Sequence, residues 1–379
     1  MSLREQTDTA EPAHGRQGSA YSKGYGLIGA HRAELMGIAI IWVCLFHSKV
    51  SIPQSPFFYP IRVLKETGYA GVDIFLFLSG FGLMHGMLQR KYSLWEFYRR
   101  RLVRVLPAYW LIVSLVILAD LVQGGRVSCL DALLKLSTLG FWANAARFDW
   151  YIPSLLALYA GFPLLFRAYG MRGNKTTLTA LLAGIALSIC CVLIPSRLNY
   201  LLIFVSRIPV FVIGAYLGYL CSTAHPELGR RQLLFHLFCM LSGFTTLLLA
   251  FLAFSPKERW DYGVWWYPFI LITVPACLLL SMGLAKLGAS SSAALRKVKW
   301  FVEFCGEHSL EVYLLHCAVL IIGKRLWPSA AAMNVVNEGH FLEYSLYFAV
   351  ALVLCVPLRK ASYTIQNMVP AITQRCTPG

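Results

Sequence analysis

A histidine closes the first apolar run of the chain, residues 35–48, whose other side chains are mostly aliphatic or aromatic. An ionisable side chain inside a bilayer span costs free energy, so its presence there indicates a function. His47 titrates near neutral pH and can accept or release a proton. The sequence therefore predicts a catalytic role for His47, provided that other segments bring reactive groups to it.

A carboxylate in the second apolar run, residues 68–88, is the next candidate. Asp73 lies near one end of this run, where an acid needs a partner or a water-filled cavity. It could orient His47 as a catalytic pair, or it could cap the start of its own helix. The glycines of the run and Ser79 are also explained by close helix packing.

The connector over residues 89–107 is the densest basic segment, and arginine outnumbers lysine there by five to one. Arg101 and Arg104 are three residues apart, on one face of a helix. Guanidinium groups bind phosphate through two parallel hydrogen bonds, which fits this preference for arginine. The alternatives are that the charge sets the membrane topology or attracts anionic lipid.

Two later segments place polar groups in apolar surroundings. Arg207 lies inside a span and could pair with Asp73 or Asp149, or hold an anionic ligand. Asp149 precedes Trp150 and Tyr151 at the start of another span, where aromatic residues form either an interfacial belt or a platform for a sugar ring.

The ninth apolar run contains Glu311 and His316. An ion pair that stabilises the helix bundle and a role in the reaction explain these two residues equally well.

Composition assigns the chain to membrane proteins. It has 379 residues, of which 58% are hydrophobic and only 14% charged. Uncharged runs of about 18 residues or more cross the hydrocarbon as helices, so we expect an all-α, polytopic transmembrane helix bundle. The net charge of +16 is scattered over short connectors, which favours membrane topology over nucleic-acid binding. The eleven cysteines lie mostly in apolar segments and predict neither a disulfide framework nor a metal site.

The apolar runs predict ten spans and one membrane domain, residues 31–360. Residues 1–30 are predicted to be a disordered cytoplasmic tail and residues 361–379 a short cytoplasmic tail. Roughly two thirds of the lysines and arginines fall on one set of connectors, so both termini are expected in the cytoplasm. The predicted spans are residues 34–52, 68–88, 107–123, 150–168, 177–195, 200–221, 232–254, 264–285, 306–326 and 341–358.

Four motifs together resemble the acyltransferase-3 family over residues 31–358. They are the first span ending in His47, the Gly-Val-Asp-Ile-Phe-Leu-Phe-Leu-Ser-Gly-Phe segment 71–81, the Phe-Tyr-x-x-Arg-x-x-Arg-x-x-Pro segment 97–107 and the Ser-x-x-x-Tyr-Leu-x-His segment 309–316. Members of that family are polytopic membrane proteins that move acyl groups, commonly acetyl from acetyl-CoA, onto cell-surface sugars.

The resemblance implies a role for several residues. His47 matches the histidine of the family's first span, Arg101 and Arg104 match its acyl-CoA motif, and Ser79 matches the serine of Ser-Gly-Phe. The chain departs from the family at Met36, where many members carry arginine, which leaves Arg32 as a possible substitute. It also departs at residues 149–156, which lack the glutamate that many members have after this motif.

These observations predict a multi-pass O-acyltransferase of a cell membrane, of the bacterial cytoplasmic type. By the resemblance it consumes acetyl-CoA as acyl donor and acts on a carbohydrate or glycolipid hydroxyl, without a metal. His47 would be the general base or would itself carry the acyl group. A transporter or flippase for a lipid-linked sugar is the alternative. The predicted catalytic residues are His47 and Asp73, the residues predicted to bind the acyl-CoA are Arg101, Arg104 and Ser79, and the residues predicted to bind substrate are Asp149, Trp150, Tyr151, Arg207, Glu311 and His316.

Overall fold

A computed structural model of the chain describes residues 24–48, 52–53, 55–90, 93–144, 150–194, 199–224, 228–288, 292–326 and 339–375. Within these ranges the regular structure is helical and contains no strand, so the predicted all-α class is confirmed. The helices of the first half are α1 (Gly26–Ala30), α2 (Arg32–His47), α3 (Tyr59–Glu66), α4 (Gly71–Gln89), α5 (Leu94–Val122), α6 (Cys129–Leu136), α7 (Gly140–Asn144), α8 (Tyr151–Arg172) and α9 (Asn174–Leu193). Those of the second half are α10 (Leu202–Val205), α11 (Ile208–Thr223), α12 (Arg230–Ala253), α13 (Pro256–Asp261), α14 (Tyr267–Gly288), α15 (Ala293–Glu307), α16 (Ser309–Leu326) and α17 (Gly339–Arg375).

The number of membrane-length helices is lower than the ten predicted. Eight described helical segments are long and apolar enough to span, and α15 with α16 adds a ninth if this pair, bent by 77°, is one span. The difference lies in α2, which has 16 residues and ends at His47. At 1.5 Å per residue it is about 24 Å long, short of the roughly 30 Å of hydrocarbon.

The boundaries of the predicted tails also differ from the helices observed. The last residues of the predicted N-terminal tail form α1, and residues 1–23 lie outside the described residues. At the other end α17 continues to Arg375, beyond the predicted limit of the membrane domain.

Helix α4 is the centre of the bundle and is buried along most of its length. It packs most extensively against α11. A Cβ atom at Gly80 would overlap the backbone of α11, and one at Gly214 or Gly218 would overlap the backbone of α4. The glycines therefore allow the two backbones to approach closely, as predicted for this segment.

Helix α2 is fixed in a similar way between α4 and α15. Gly37 of α2 lies against the backbone of Val302, and Gly306 of α15 lies against the backbone of Ala33. The chain then bends before α16, which packs against α5, α17 and α2. This path brings α16 alongside the helix that carries His47.

Helix α5 contains most of the basic segment, residues 89–107, that was predicted to be a connector. The Ser93 hydroxyl caps the helix start by accepting a hydrogen bond from the Glu96 amide at 3.1 Å. The helix then runs without interruption through Arg101, Arg104 and Pro107 into its apolar part. The arginines are therefore held on the first turns of a long, continuous helix.

Candidate active site

Two histidines from distant parts of the chain meet where the end of α2 lies beside the middle of α16. The Nε2 atom of His316 lies 3.3 Å from Nδ1 of His47, and the two ring centroids are 5.2 Å apart. His316 is buried, whereas His47 is exposed at the end of its helix. The pair thus combines a fixed imidazole with one that a ligand can reach.

The other hydrogen bonds of the pair select one arrangement of protons. His316 Nδ1 lies 3.3 Å from the Val312 carbonyl oxygen, and His47 Nδ1 lies 3.0 Å from that of Val43. Carbonyl oxygens accept only, so both Nδ1 atoms donate. His316 Nε2 is then an acceptor for His47 Nδ1–H, and Nε2 of His47 is its basic nitrogen.

His47 faces a cavity of about 430 Å³, which we call the aromatic cavity. This volume is within the range of small-molecule sites. Rings from several helices dominate the wall, together with one guanidinium and one imidazole. The lining residues are Val43, Phe46, His47, Tyr69, Val72, Trp150, Ile203, Arg207, Pro256, Trp260, Trp265, Trp266 and Tyr313.

Arg207 is held in the wall of the aromatic cavity by three kinds of contact. Its Nε lies 3.4 Å from Asp73 Oδ2, and both side chains are 1% exposed. Its Nη1 donates to the Ile203 carbonyl at 2.6 Å, and its guanidinium lies over the rings of Trp150 and Trp266. Of the partners considered for Arg207, the structure gives it Asp73.

The predicted pairing of Asp73 with His47 is not found. Among the described residues, Asp73 has an ion pair with Arg207 and no hydrogen bond or ion pair with His47. Asp73 lies in the first turn of α4 but makes no capping hydrogen bond either. The structure places His316, rather than an acid, beside His47.

A second cavity, of about 410 Å³, lies at the other end of the bundle, and we call it the basic cavity. Arg101 and Arg104 both line it, as their spacing on one helix face predicts. Six arginines and one carboxylate contribute to its wall, so it suits an anion with several charges. The lining residues are Arg90, Arg99, Arg100, Arg101, Val103, Arg104, Glu311, Arg359, Tyr363 and Gln366.

A third, larger cavity of about 950 Å³ shares Arg104 and Arg359 with the basic cavity. Arg32 and Met36, one helical turn apart on α2, both line it. Arg32 is close enough to Arg101 and Arg104 for their charges to interact. An arginine on this face of α2 is therefore present four residues before the position at which many family members carry it.

Helix α16 forms part of both the basic and the aromatic cavity. Glu311 lines the basic cavity, and Tyr313 lines the aromatic cavity two residues later. His316 is five residues beyond Glu311, a rise of about 7.5 Å along the helix. The same helix therefore lines both cavities within two residues, although Arg32 and His47 lie at opposite ends of α2.

The remaining predicted residues fall in different places. Trp150 lines the aromatic cavity, and Tyr151 is buried with its ring 4.8 Å from that of Tyr313. Glu311, predicted to bind substrate, lines the basic cavity. Ser79 is buried in α4 and lines none of the three cavities described above. Asp149 lies outside the described residues.

The sequence reasoning did not identify the tryptophans of one loop region. Trp260, Trp265 and Trp266 supply much of the wall of the aromatic cavity, and Tyr69 donates a hydrogen bond to the Trp265 carbonyl at 2.7 Å. Three tryptophans within seven residues form a dense aromatic cluster between two spans. This cluster is the feature of the sequence from which the wall of the aromatic cavity could have been predicted.

These features define a multi-pass membrane protein with two ligand-sized cavities of contrasting chemistry that meet at one helix. Residues 35–360 match the model of the acyltransferase domain of the acyltransferase-3 family, and the chain belongs to that family. The resemblance stated from the motifs is thereby confirmed, and the protein is a membrane acyltransferase. No curated protein and no solved structure matched the chain.

Proposed function

We propose that this acyltransferase moves an acetyl group from acetyl-CoA to a hydroxyl of a cell-surface sugar, polysaccharide or glycolipid. The observation that carries the proposal is the meeting of a basic and an aromatic cavity at α16, beside a histidine pair. One cavity suits a donor with several phosphates, and the other suits a sugar ring. Among the contacts of the described residues, none favours a transporter or flippase over transfer.

The donor occupies the basic cavity in this proposal. Arg101 and Arg104 bind phosphate groups of the coenzyme, and Arg32 adds a third guanidinium nearby. The predicted topology places this end of the bundle on the cytoplasmic side, where the coenzyme is available. The acyl end of the donor then extends along α16 toward His47.

The acceptor occupies the aromatic cavity. Indole rings such as those of Trp150 and Trp265 present flat apolar faces against which a sugar ring can stack. Arg207 and His47 are the polar groups of the wall and fix the orientation of the sugar. Asp73 contributes by holding Arg207, which makes it a positioning residue in this scheme.

The reaction needs a base because a sugar hydroxyl is a poor nucleophile at neutral pH. His47 Nε2 takes the hydroxyl proton as the oxygen attacks the thioester carbon. The carbon–sulfur bond breaks, and the thiolate leaves with the proton that His47 returns, giving the ester and free CoA thiol. His316 Nε2 accepts the Nδ1–H of the transient imidazolium, as the acid does in a catalytic triad.

Replacement of His47 tests the assignment of the base. We expect His47→Ala to lower the turnover number by about 10²–10⁴-fold, since that is the usual contribution of general-base catalysis. Binding of acetyl-CoA should not change. The assay is release of CoA thiol by the purified protein, with His308→Ala as a control because His308 lines none of the three cavities. Full activity of His47→Ala would contradict the mechanism.

The same histidine could carry the acetyl group as an acyl-imidazole before passing it on. Incubation with radiolabelled acetyl-CoA in the absence of acceptor separates the two routes. Label on the wild-type protein but not on His47→Ala would establish the relay. Mass spectrometry of envelope polysaccharides and glycolipids, with and without the protein, tests the acceptor by the loss of one acetyl mass.

A further inference from the structure

A second arginine adjoins the aromatic cavity without taking part in the site described so far. Arg259 lies on the short helix α13, and its side chain is only 8% exposed. Its guanidinium is stacked over two rings, 4.2 Å from the centroid of Phe251 and 4.7 Å from that of Trp265. Trp265 lines the aromatic cavity, so Arg259 lies directly behind one of its walls.

The two arginines near this cavity differ in how their charge is compensated. Arg207 has the carboxylate of Asp73. Arg259 forms no ion pair with any described residue, and its Nε and Nη1 atoms are buried without a hydrogen-bond partner. Stacking on aromatic rings offsets only part of the cost of removing a guanidinium from water. Among the described residues, an acceptor for these donors is therefore missing.

The lining of the aromatic cavity supplies no negative charge of its own. Among its described lining residues none carries a carboxylate, while Arg207 and His47 bring positive or basic groups. Tyr69 lies in this wall within electrostatic range of Asp73, Arg207 and Arg259. Asp73 offsets the charge of Arg207, so the charge of Arg259 is the one that favours a ligand with negative charge.

We propose that the acceptor is an anionic sugar, with a carboxylate or phosphate group bound by Arg259 while its ring stacks on the tryptophans. This inference rests on the proposed function, because it specifies the chemical class of the acceptor for the same cavity. Uronic acids and sugar phosphates belong to this class, and neutral hexoses do not.

The experiment is a tryptophan fluorescence titration of the purified full chain in neutral detergent. Three of the four tryptophans of the cavity are close to Arg259 in sequence, so a sugar that enters should change their emission. The probes are glucose, glucuronate and glucose 1-phosphate. We expect at least one anionic probe to bind about tenfold more tightly than glucose, since hydrogen bonds between ionised groups are the strong ones.

Variants of α13 test whether the preference for anionic sugars over glucose depends on Arg259. Arg259→Gln should bring the affinities for glucose and the anionic probes to within about twofold of each other, and Arg259→Lys should retain part of the difference. Lys257→Gln is the matched control, because it removes the same charge from an exposed position on the same helix. An equal effect of Lys257→Gln and Arg259→Gln would overturn the proposal.

The wild-type comparison stands even if an Arg259 variant fails to fold. Equal affinities of the wild-type protein for glucose and both anionic probes would overturn the proposal without any variant. A response to added phosphatidylglycerol but to neither anionic sugar would assign Arg259 to lipid headgroups and would also overturn it.

A parallel measurement of CoA release separates this inference from the proposed function. Stimulation of CoA release by glucose, with no preference for the anionic sugars, would leave the transferase assignment intact and refute the anionic acceptor. Tighter binding of an anionic sugar, with no acetyl transfer to any probe or envelope sugar, would refute the proposed function and retain the charge preference.

Discussion

The basic and the aromatic cavity are similar in volume, about 410 and 430 Å³, but they treat charge in opposite ways. Six arginines and one carboxylate line the basic cavity, so positive charge is in excess there. In the aromatic cavity the charge of Arg207 is compensated by Asp73 within the protein. A wall with excess positive charge suits a polyanion, whereas a compensated buried pair suits a ring of lower charge.

The largest effect, on the free energy of unfolding, should follow from removing the Asp73 carboxylate that compensates the charge of Arg207. Asp73→Asn leaves the buried Arg207 guanidinium without its counter-charge, and breaking a buried pair costs about 3–5 kcal/mol of the free energy of unfolding. Thermal and denaturant unfolding in detergent measure the loss. The double variant with Arg207→Gln should recover much of it. Wild-type stability of Asp73→Asn with a reduced turnover number would instead support direct catalysis by Asp73.

A smaller effect is expected when the aromatic cavity is kept and only the proton acceptor beside His47 is removed. His316→Ala should lower the turnover number about 10²-fold, because the imidazolium of His47 loses the neighbour that stabilises it. The Michaelis constant for acetyl-CoA should stay the same. His316→Gln retains an acceptor oxygen and should restore part of the rate. A purely structural role would predict equal losses in both variants.

The smallest of these effects concerns the geometry of charge in the basic cavity. Arg101→Lys keeps the charge but loses the planar fork, so the Michaelis constant for acetyl-CoA should rise about tenfold at a constant turnover number. Arg172→Lys is the control, because Arg172 is exposed and lines none of the three cavities. An unchanged Michaelis constant in Arg101→Lys would indicate that the arginines set the membrane topology and do not bind phosphate.

Features set within one helix were predictable from the sequence. The apolar runs identified the membrane helices, and the spacing of Arg101 and Arg104 placed both on one cavity wall, because helical periodicity fixes such neighbours. The glycines of α4 were correctly linked to close packing. The partner of Arg207 was among the alternatives, since few acids lie inside spans.

Contacts between helices that are distant in the chain could not be predicted from the sequence. His47 and His316 are 269 residues apart, and no periodicity in either helix indicates which other helix it faces. Glu311 was grouped with His316 for the same reason, although Glu311 lines the basic cavity and His316 contacts His47 of the aromatic cavity. The described residues contain eight or nine membrane-length helices where about ten were predicted, and α2, which ends at His47 after 16 residues, is one predicted span that is shorter than the membrane.

The shared wall at α16 has a thermodynamic consequence for the order in which substrates bind. A ligand that displaces α16 through Glu311 also displaces Tyr313, and the reverse holds for a ligand in the aromatic cavity. Linkage requires that the donor change the affinity for the acceptor by the same factor as the acceptor changes that for the donor. Titrating the sugar with and without CoA, and CoA with and without the sugar, would measure that factor twice. A factor of one in both titrations would show that α16 does not couple the two cavities.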